Sequence, residues 1–108
     1  MERIRISYVD RNTEIERQLP IDATLVEKVA LEDSKSEWWL VALERALLHV
    51  GAEFPYALVA PRHTGHSLAD SGPVSAILLL SASRALPASP KVSSFPQSVW
   101  CGVGRLGA

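Results

Sequence analysis

Residues 61–70 read PRHTGHSLAD and gather Arg62, His63, Thr64, His66, Ser67 and Asp70 into ten positions. Two chemistries fit these residue types. His63 and His66 are three apart, a spacing that in a helix places both rings on one face as a pair of metal ligands. Zinc takes three or four protein ligands, so Asp70 or the distant His49 would have to complete the set, and the chain has no HExxH or CxxC pattern to anchor it. Pro61 and Gly65 also work against a continuous helix here. The second chemistry is nucleophilic, with Ser67 activated by His63 or His66 and Asp70 orienting the imidazole. So short a loop seldom lets all three groups point at one another, and no G-x-S-x-G elbow or glycine-rich oxyanion loop accompanies them. The residues therefore read as a polar bend between two buried strands. No catalytic residue and no metal ligand is assigned, and no cofactor is implied. An enzyme or metal site built on residues 62–70 stays as an alternative, which would require His63, His66 or Asp70 to converge on a concave pocket.

Two other chemical features are weaker. Cys101 is the only cysteine of the chain, so it forms no internal disulfide, and in VWCGVG it lies among apolar neighbours, where a thiol usually serves as a small core residue. The GVG at 102–104 lacks the third glycine and the following helix of a phosphate loop, and reads as relief of crowding in a last strand.

The elements that must position these residues follow from periodicity. RIRISYV places Ile4, Ile6 and Tyr8 against Arg3, Arg5 and Ser7, which predicts a half-buried strand. After Asp10, Arg11 and Asn12, the alternation of Thr13, Ile15, Arg17 and Leu19 with Glu14, Glu16 and Gln18 predicts a return strand that ends at Pro20. TLVEKVALE reads as another strand, although a short helix would collect the same residues. EWWLVALERALLHVG is ambiguous. Ser34 before Glu37 resembles a capping box and Gly51 a helix end, but a helix with only Glu37, Glu44, Arg45 and His49 polar between 37 and 50 would be apolar around most of its circumference. A small domain can rarely bury such a helix, so the expectation is a strand from about 37 to 44 that pairs with TLVEKVALE. FPYALVA, PVSAILLLSA and SVWCGVGRL are each short, apolar and bracketed by turn signals, while SRALPASPKVSSFPQ at 83–97 is a Ser- and Pro-rich excursion. The expected fold is mainly β, a small antiparallel barrel or sandwich-like domain spanning 1–108 as one unit, with a helix around 36–50 and an α+β class as the alternative.

Composition bounds the function. With 108 residues and a net charge of −1, the chain lacks the basic excess that drives non-specific nucleic-acid binding. Its longest apolar run is about half a membrane span, and the charged N-terminus lacks the apolar stretch of a secretory signal, so no membrane and a cytoplasmic location are expected. Charge is uneven: residues 1–53 hold eleven acids and seven bases, whereas residues 54–108 hold Asp70 against Arg62, Arg84, Lys91 and Arg105. If Glu27, Glu32, Asp33 and Glu37 cluster, they form a negative patch suited to steering a basic partner; the plainer alternative is a set of solvated turn residues. Adjacent Trp38 and Trp39 cannot easily share one core, so one of them is a candidate anchor for a partner. A nucleic-acid reading would use Arg3, Arg5 and Arg62 with Trp38, Trp39 and Tyr56 as stacking platforms, but the acids at 14, 16, 27, 32 and 33 disfavour it.

The general build, and the run from EWWLVALE to YALVAPRH, resembles the small immunity proteins that bacteria use against delivered toxins, such as those of contact-dependent growth inhibition systems. The resemblance covers about half the chain and carries no diagnostic motif. It implies a protein that sits on a toxin domain, often a nuclease, and blocks its active site or substrate surface. Glu27, Glu32, Asp33 and Glu37 would then steer a basic toxin surface, with Trp38 or Trp39 anchoring it.

Overall fold

A computed structural model describes residues 2–61, 68 and 76–106. Six strands form a closed barrel: β1 (Arg3–Val9), β2 (Ile21–Val29), β3 (Trp38–His49), β4 (Ala52–Pro61), β5 (Ala76–Ser81) and β6 (Ser98–Leu106). Each strand pairs antiparallel with the next, and β6 closes the ring on β1 through Arg3↔Leu106 to Val9↔Cys101. Closure gives every described strand a neighbour on each side, so none is an edge strand. The expected antiparallel barrel is the observed fold.

The inward-facing alternate residues fill the barrel. Ile4, Ile6 and Val9 from β1 meet Ile21, Ala23 and Leu25 from β2, Val41 from β3, Ala57 and Val59 from β4, Leu78 and Leu80 from β5, and Cys101 and Val103 from β6. Cys101 is fully buried in this set, as its apolar neighbours predict.

A second apolar cluster lies on the outside of the barrel. Leu31, Trp38, Leu40, Leu58, Ala60 and Leu79 are all nearly or fully buried there, under Leu86, Val92 and Phe95 from the 82–97 excursion. The central strands are thus buried on both faces, which is why their sequences are almost continuously apolar. This resolves the ambiguity of 36–50. The alternative helix is not formed, because a strand divides the same apolar residues between two cores: Trp39 and Val41 go inward and Trp38 and Leu40 outward. The second hairpin, β2 with β3, is as expected, from Val29↔Trp38 to Ala23↔Leu43. Glu44 and Arg45 fall where β3 gains extra residues against β4, in the register shift between Ala42 and Leu47.

The first expected hairpin is not formed. Thr13–Glu16 is a single helical turn, α1, and β1 pairs with β2 instead. Asn12 explains the difference: its side-chain oxygen accepts a hydrogen bond from the Ile15 amide at 3.0 Å and caps the turn. Ile15 and Leu19 are four apart, a helical as well as a strand spacing, and both pack onto the interior core. The Gln18 side chain then ties this plug to β3, donating to the Leu48 carbonyl and accepting from the Leu48 amide, each at 2.8 Å.

The β3–β4 connection is a two-residue turn, Val50-Gly51, with φ of 49° and 75°. Both values belong to a type I′ turn, which suits the twist of a hairpin but favours Asn or Asp at the first position. A β-branched residue there is strained, and Val50 is also 80% exposed, so its side chain recovers little by packing. Replacing Val50 by Asn is expected to raise stability by about 1 kcal/mol. Thermal unfolding should show this as a midpoint raised by about 4 °C.

Candidate functional site

The residues singled out for partner binding lie along the β2–β3 hairpin, at the end of the barrel where β2 finishes and β3 begins. Their environments differ sharply. Glu27 follows a bulge in β2, is exposed, and has no ion-pair partner among the described residues. Glu32 is exposed, with Lys91 Nζ 3.8 Å from its carboxylate. Glu37 accepts from the Trp39 indole nitrogen at 3.1 Å and lies 3.5 Å from Lys28 Nζ. The Lys28 ammonium in turn stands 5.7 Å from the Trp39 ring centroid, in cation–π range. Trp39 is half-buried, and its inner side packs on the barrel core. Together they make a mixed-charge rim around one indole.

Two of the six residues serve the fold instead. Trp38 is 1% exposed at the centre of the outer cluster, with its indole nitrogen donating to Ser34 Oγ at 2.8 Å. It is therefore not an anchor presented to a partner; register sends it to the outer face, and the excursion covers that face. Asp33 accepts hydrogen bonds from the amides of Val92 at 2.6 Å and Ser93 at 3.3 Å, at the start of a single 3-10 turn, Val92–Ser94. Its neighbour Glu32 adds a backbone bond from its amide to the Pro90 carbonyl at 3.0 Å. The excursion thus leaves the end of β5, crosses the outer face to the β2–β3 turn, is fastened there, and returns to the start of β6.

The Val92 amide, and after it that of Ser93, hold the Asp33 carboxyl below the usual carboxylate range, while partial desolvation pushes the other way. Asp22 is lowered as well, chiefly by its hydrogen bond from Arg5, whose Nε lies 2.8 Å away. Arg3 reaches the same carboxylate at 3.3 Å, so one acid answers both arginines of β1.

The constellation of the disfavoured nucleic-acid alternative is not assembled among the described residues. Trp38 and Tyr56 belong to the outer cluster, Trp39 closes the interior, and Arg3 and Arg5 share Asp22. Arg62, His63, His66, Ser67 and Asp70 lie outside the described residues. His49 is at the other end of the barrel, with Nδ1 3.1 Å from Glu14. Among the described residues no group of three or more His, Cys, Asp or Glu is placed to hold a metal, and no helix is long and apolar enough to cross a membrane.

Sequence reasoning missed a pair of aromatic residues on the outer face of β1 and β6. Tyr8 is 45% exposed and Trp100 40%. Simple alternation puts Tyr8 inside with Ile4 and Ile6, but a register shift between Ile6 and Tyr8 turns it out and Val9 in. The apolar Val9 next to Tyr8 was the signal for that shift. Trp100 was legible from alternation, since Val99, Cys101 and Val103 form the inward set.

Compared with protein-family models, with curated proteins and with solved structures, the chain matches none. The class is therefore defined by the fold itself: a closed six-stranded antiparallel barrel with a filled interior and a strapped outer face.

The role of Asp33 has a measurable consequence. Its folded pKa lies below the unfolded one, so its contribution is fully present above about pH 4 and is lost as pH falls through the lower folded value. Asp33→Ala should speed tryptic cleavage after Arg84 and Lys91 several-fold at neutral pH. In the unmodified protein, the Val92 and Ser93 amide resonances should shift only below about pH 4; a shift centred near neutrality would contradict the assignment.

Proposed function

We propose that the protein is a binding module rather than an enzyme, and that its partner is another protein. The observation that carries this reading is the filled barrel: its inward positions are apolar and in mutual contact, so the chain meets other molecules with its outer surface. The resemblance to toxin immunity proteins gives the reading its particular form, in which the partner is a toxin domain with a basic surface. The rim at the β2–β3 end suits that partner. Glu27 and Glu32 present carboxylates to solvent, and Trp39 offers a half-exposed indole already oriented by Glu37 and Lys28. Oriented aromatic residues ringed by polar groups are the usual energetic centres of protein interfaces, while peripheral charges govern the rate of encounter. Trp38 and Asp33, which serve the fold, have no direct part in this reading.

Affinity capture with the tagged protein, followed by reconstitution with the captured protein, tests it. The expected outcome is a stoichiometric complex. Trp39→Ala should weaken it by about tenfold or more, mainly through faster dissociation. Glu27→Lys combined with Glu32→Lys should slow association and flatten its salt dependence. A complex indifferent to all three substitutions would refute the placement, and failure to recover any protein complex would refute the reading.

A further inference from the structure

We infer that the Trp39 indole and the Glu37 carboxylate form a subsite for one arginine side chain of the partner protein, and that Lys28 of the chain itself fills this subsite in the free state. The inference rests on the protein-partner reading above and specifies what that partner must present.

The subsite is made by a shift in register. From Ala23 to Leu25, β2 pairs with β3 so that Leu25 faces Val41. Continued unchanged, that register would set Glu27 opposite Trp39 and send Lys28 to the outer face opposite Trp38. The irregularity between Leu25 and Glu27 moves every later pair by one. Lys28 therefore stands opposite Trp39, and the apolar Val29 stands opposite Trp38, where it packs on the outer cluster. Bulges re-aim side chains in this way. Here the result is a cation held over an aromatic ring: Lys28 Nζ lies 5.7 Å from the Trp39 ring centroid and 3.5 Å from Glu37 Oε2. The other carboxylate oxygen, Oε1, accepts the Trp39 indole N–H at 3.1 Å, so ring and carboxylate are fixed to each other.

The ammonium is the loose member of the three. The Lys28 side chain is 63% exposed, its ion pair is screened by solvent, and its distance from the ring is close to the limit of about 6 Å for cation–π attraction. When this flexible side chain swings into water, it leaves an indole and an acceptor oxygen already in place. A guanidinium at the same position uses both better than an ammonium does. It is planar and stacks on the ring, carries N–H donors in its plane for Oε2, and is more weakly hydrated, so it loses less on leaving water. A methylated lysine calls for a cage of several rings, and Trp39 supplies one. A phosphate would meet the carboxylate of Glu37, with Glu27 exposed nearby. Arginine is thus the partner group that matches the ring, the carboxylate and the stand-in cation together.

The test follows the indole N–H resonances of the purified full chain as N-acetyl-arginine amide is added, with Trp39→Phe identifying the Trp39 resonance. That resonance should move saturably, and several-fold less binding should be seen with N-acetyl-lysine amide. Lys28→Ala, which removes the competing ammonium, should tighten arginine binding several-fold. Lys91→Ala removes an equal charge from the same end of the barrel and should leave the affinity unchanged, which separates competition from a general field effect. Glu37→Gln can still accept the indole N–H but should weaken binding several-fold. In the complex with the captured protein, Lys28→Ala should slow dissociation. A Trp39 resonance indifferent to arginine, an equal response to lysine amide, or equal tightening by Lys91→Ala would each overturn the inference. If a captured complex exists in that case, the protein-partner reading stands without it. A Trp39 resonance that responds as expected when no protein is captured supports the subsite and overturns the reading.

Discussion

The structure depends on one constraint, the burial of the central strands on both faces. A six-stranded barrel encloses only the inward half of its residues, yet β3, β4 and β5 are apolar on the outward half as well. Without cover, Trp38, Leu40, Leu58 and Leu79 would form an exposed apolar patch of the kind that drives aggregation. The 82–97 excursion supplies the cover with only three side chains, Leu86, Val92 and Phe95. Its remaining residues are mostly Ser, Pro and small side chains, which cannot fold a core of their own and must be held by anchors. The anchors come from the β2–β3 turn: the Asp33 carboxylate, the Glu32 amide and the Glu32–Lys91 pair. The acids that looked from sequence like a steering patch are thus partly the fastening of the second core.

This changes how the apolar surplus of the sequence is understood. Nearly continuous apolar runs with two adjacent tryptophans suggest a surface waiting for a partner, and Trp38 or Trp39 was accordingly expected to anchor one. Most of the surplus is consumed internally by the strap. Among the described residues, the large apolar side chains that remain exposed are Tyr8, Trp100 and, at the hairpin tip, Leu48 and Val50, with Trp39 half-exposed. Among the described residues the exposed aromatic side chains are therefore few, with Trp39 towards the β2–β3 end of the barrel and Tyr8 and Trp100 towards the other.

Much of the fold was legible because two signals coincide along the chain: short apolar runs of strand length, and turn residues between them. The strands β1, β4, β5 and β6 follow from these. At 24–32 and 36–50 the same signals left a helix open, and the expectation of a strand over about 37 to 44 rested on the difficulty of burying a helix that is apolar all round, whereas β3 continues to His49. What was not legible depended on contacts made at a distance. Asn12 capping a single turn and the pairing of Gln18 with Leu48 convert an alternating segment into α1, and no period-2 count reveals either. In the candidate site, sequence adjacency grouped Glu27, Glu32, Asp33, Glu37, Trp38 and Trp39 correctly along one hairpin. It could not divide them, because Asp33 and Trp38 were committed by residues 86–95, some sixty positions away.

A closed barrel also limits how this protein can meet anything else. With each described strand paired on both sides along part of its length, none offers a whole free edge for strand addition, which leaves the outward-projecting side chains as the main surface for recognition. Along a regular strand those positions are set by alternation, and a functional side chain can appear on the outside only where an outward position already exists or where the alternation is broken. The bulge in β1 breaks it and delivers Tyr8 to the surface; the glycine opposite removes the side chain that would compete for the same space. Each irregularity costs packing or pairing in a small domain with little stability to spare. Two of them meeting at one point, where Tyr8 lies opposite Gly102, set the β1–β6 face apart from the regular barrel wall around it.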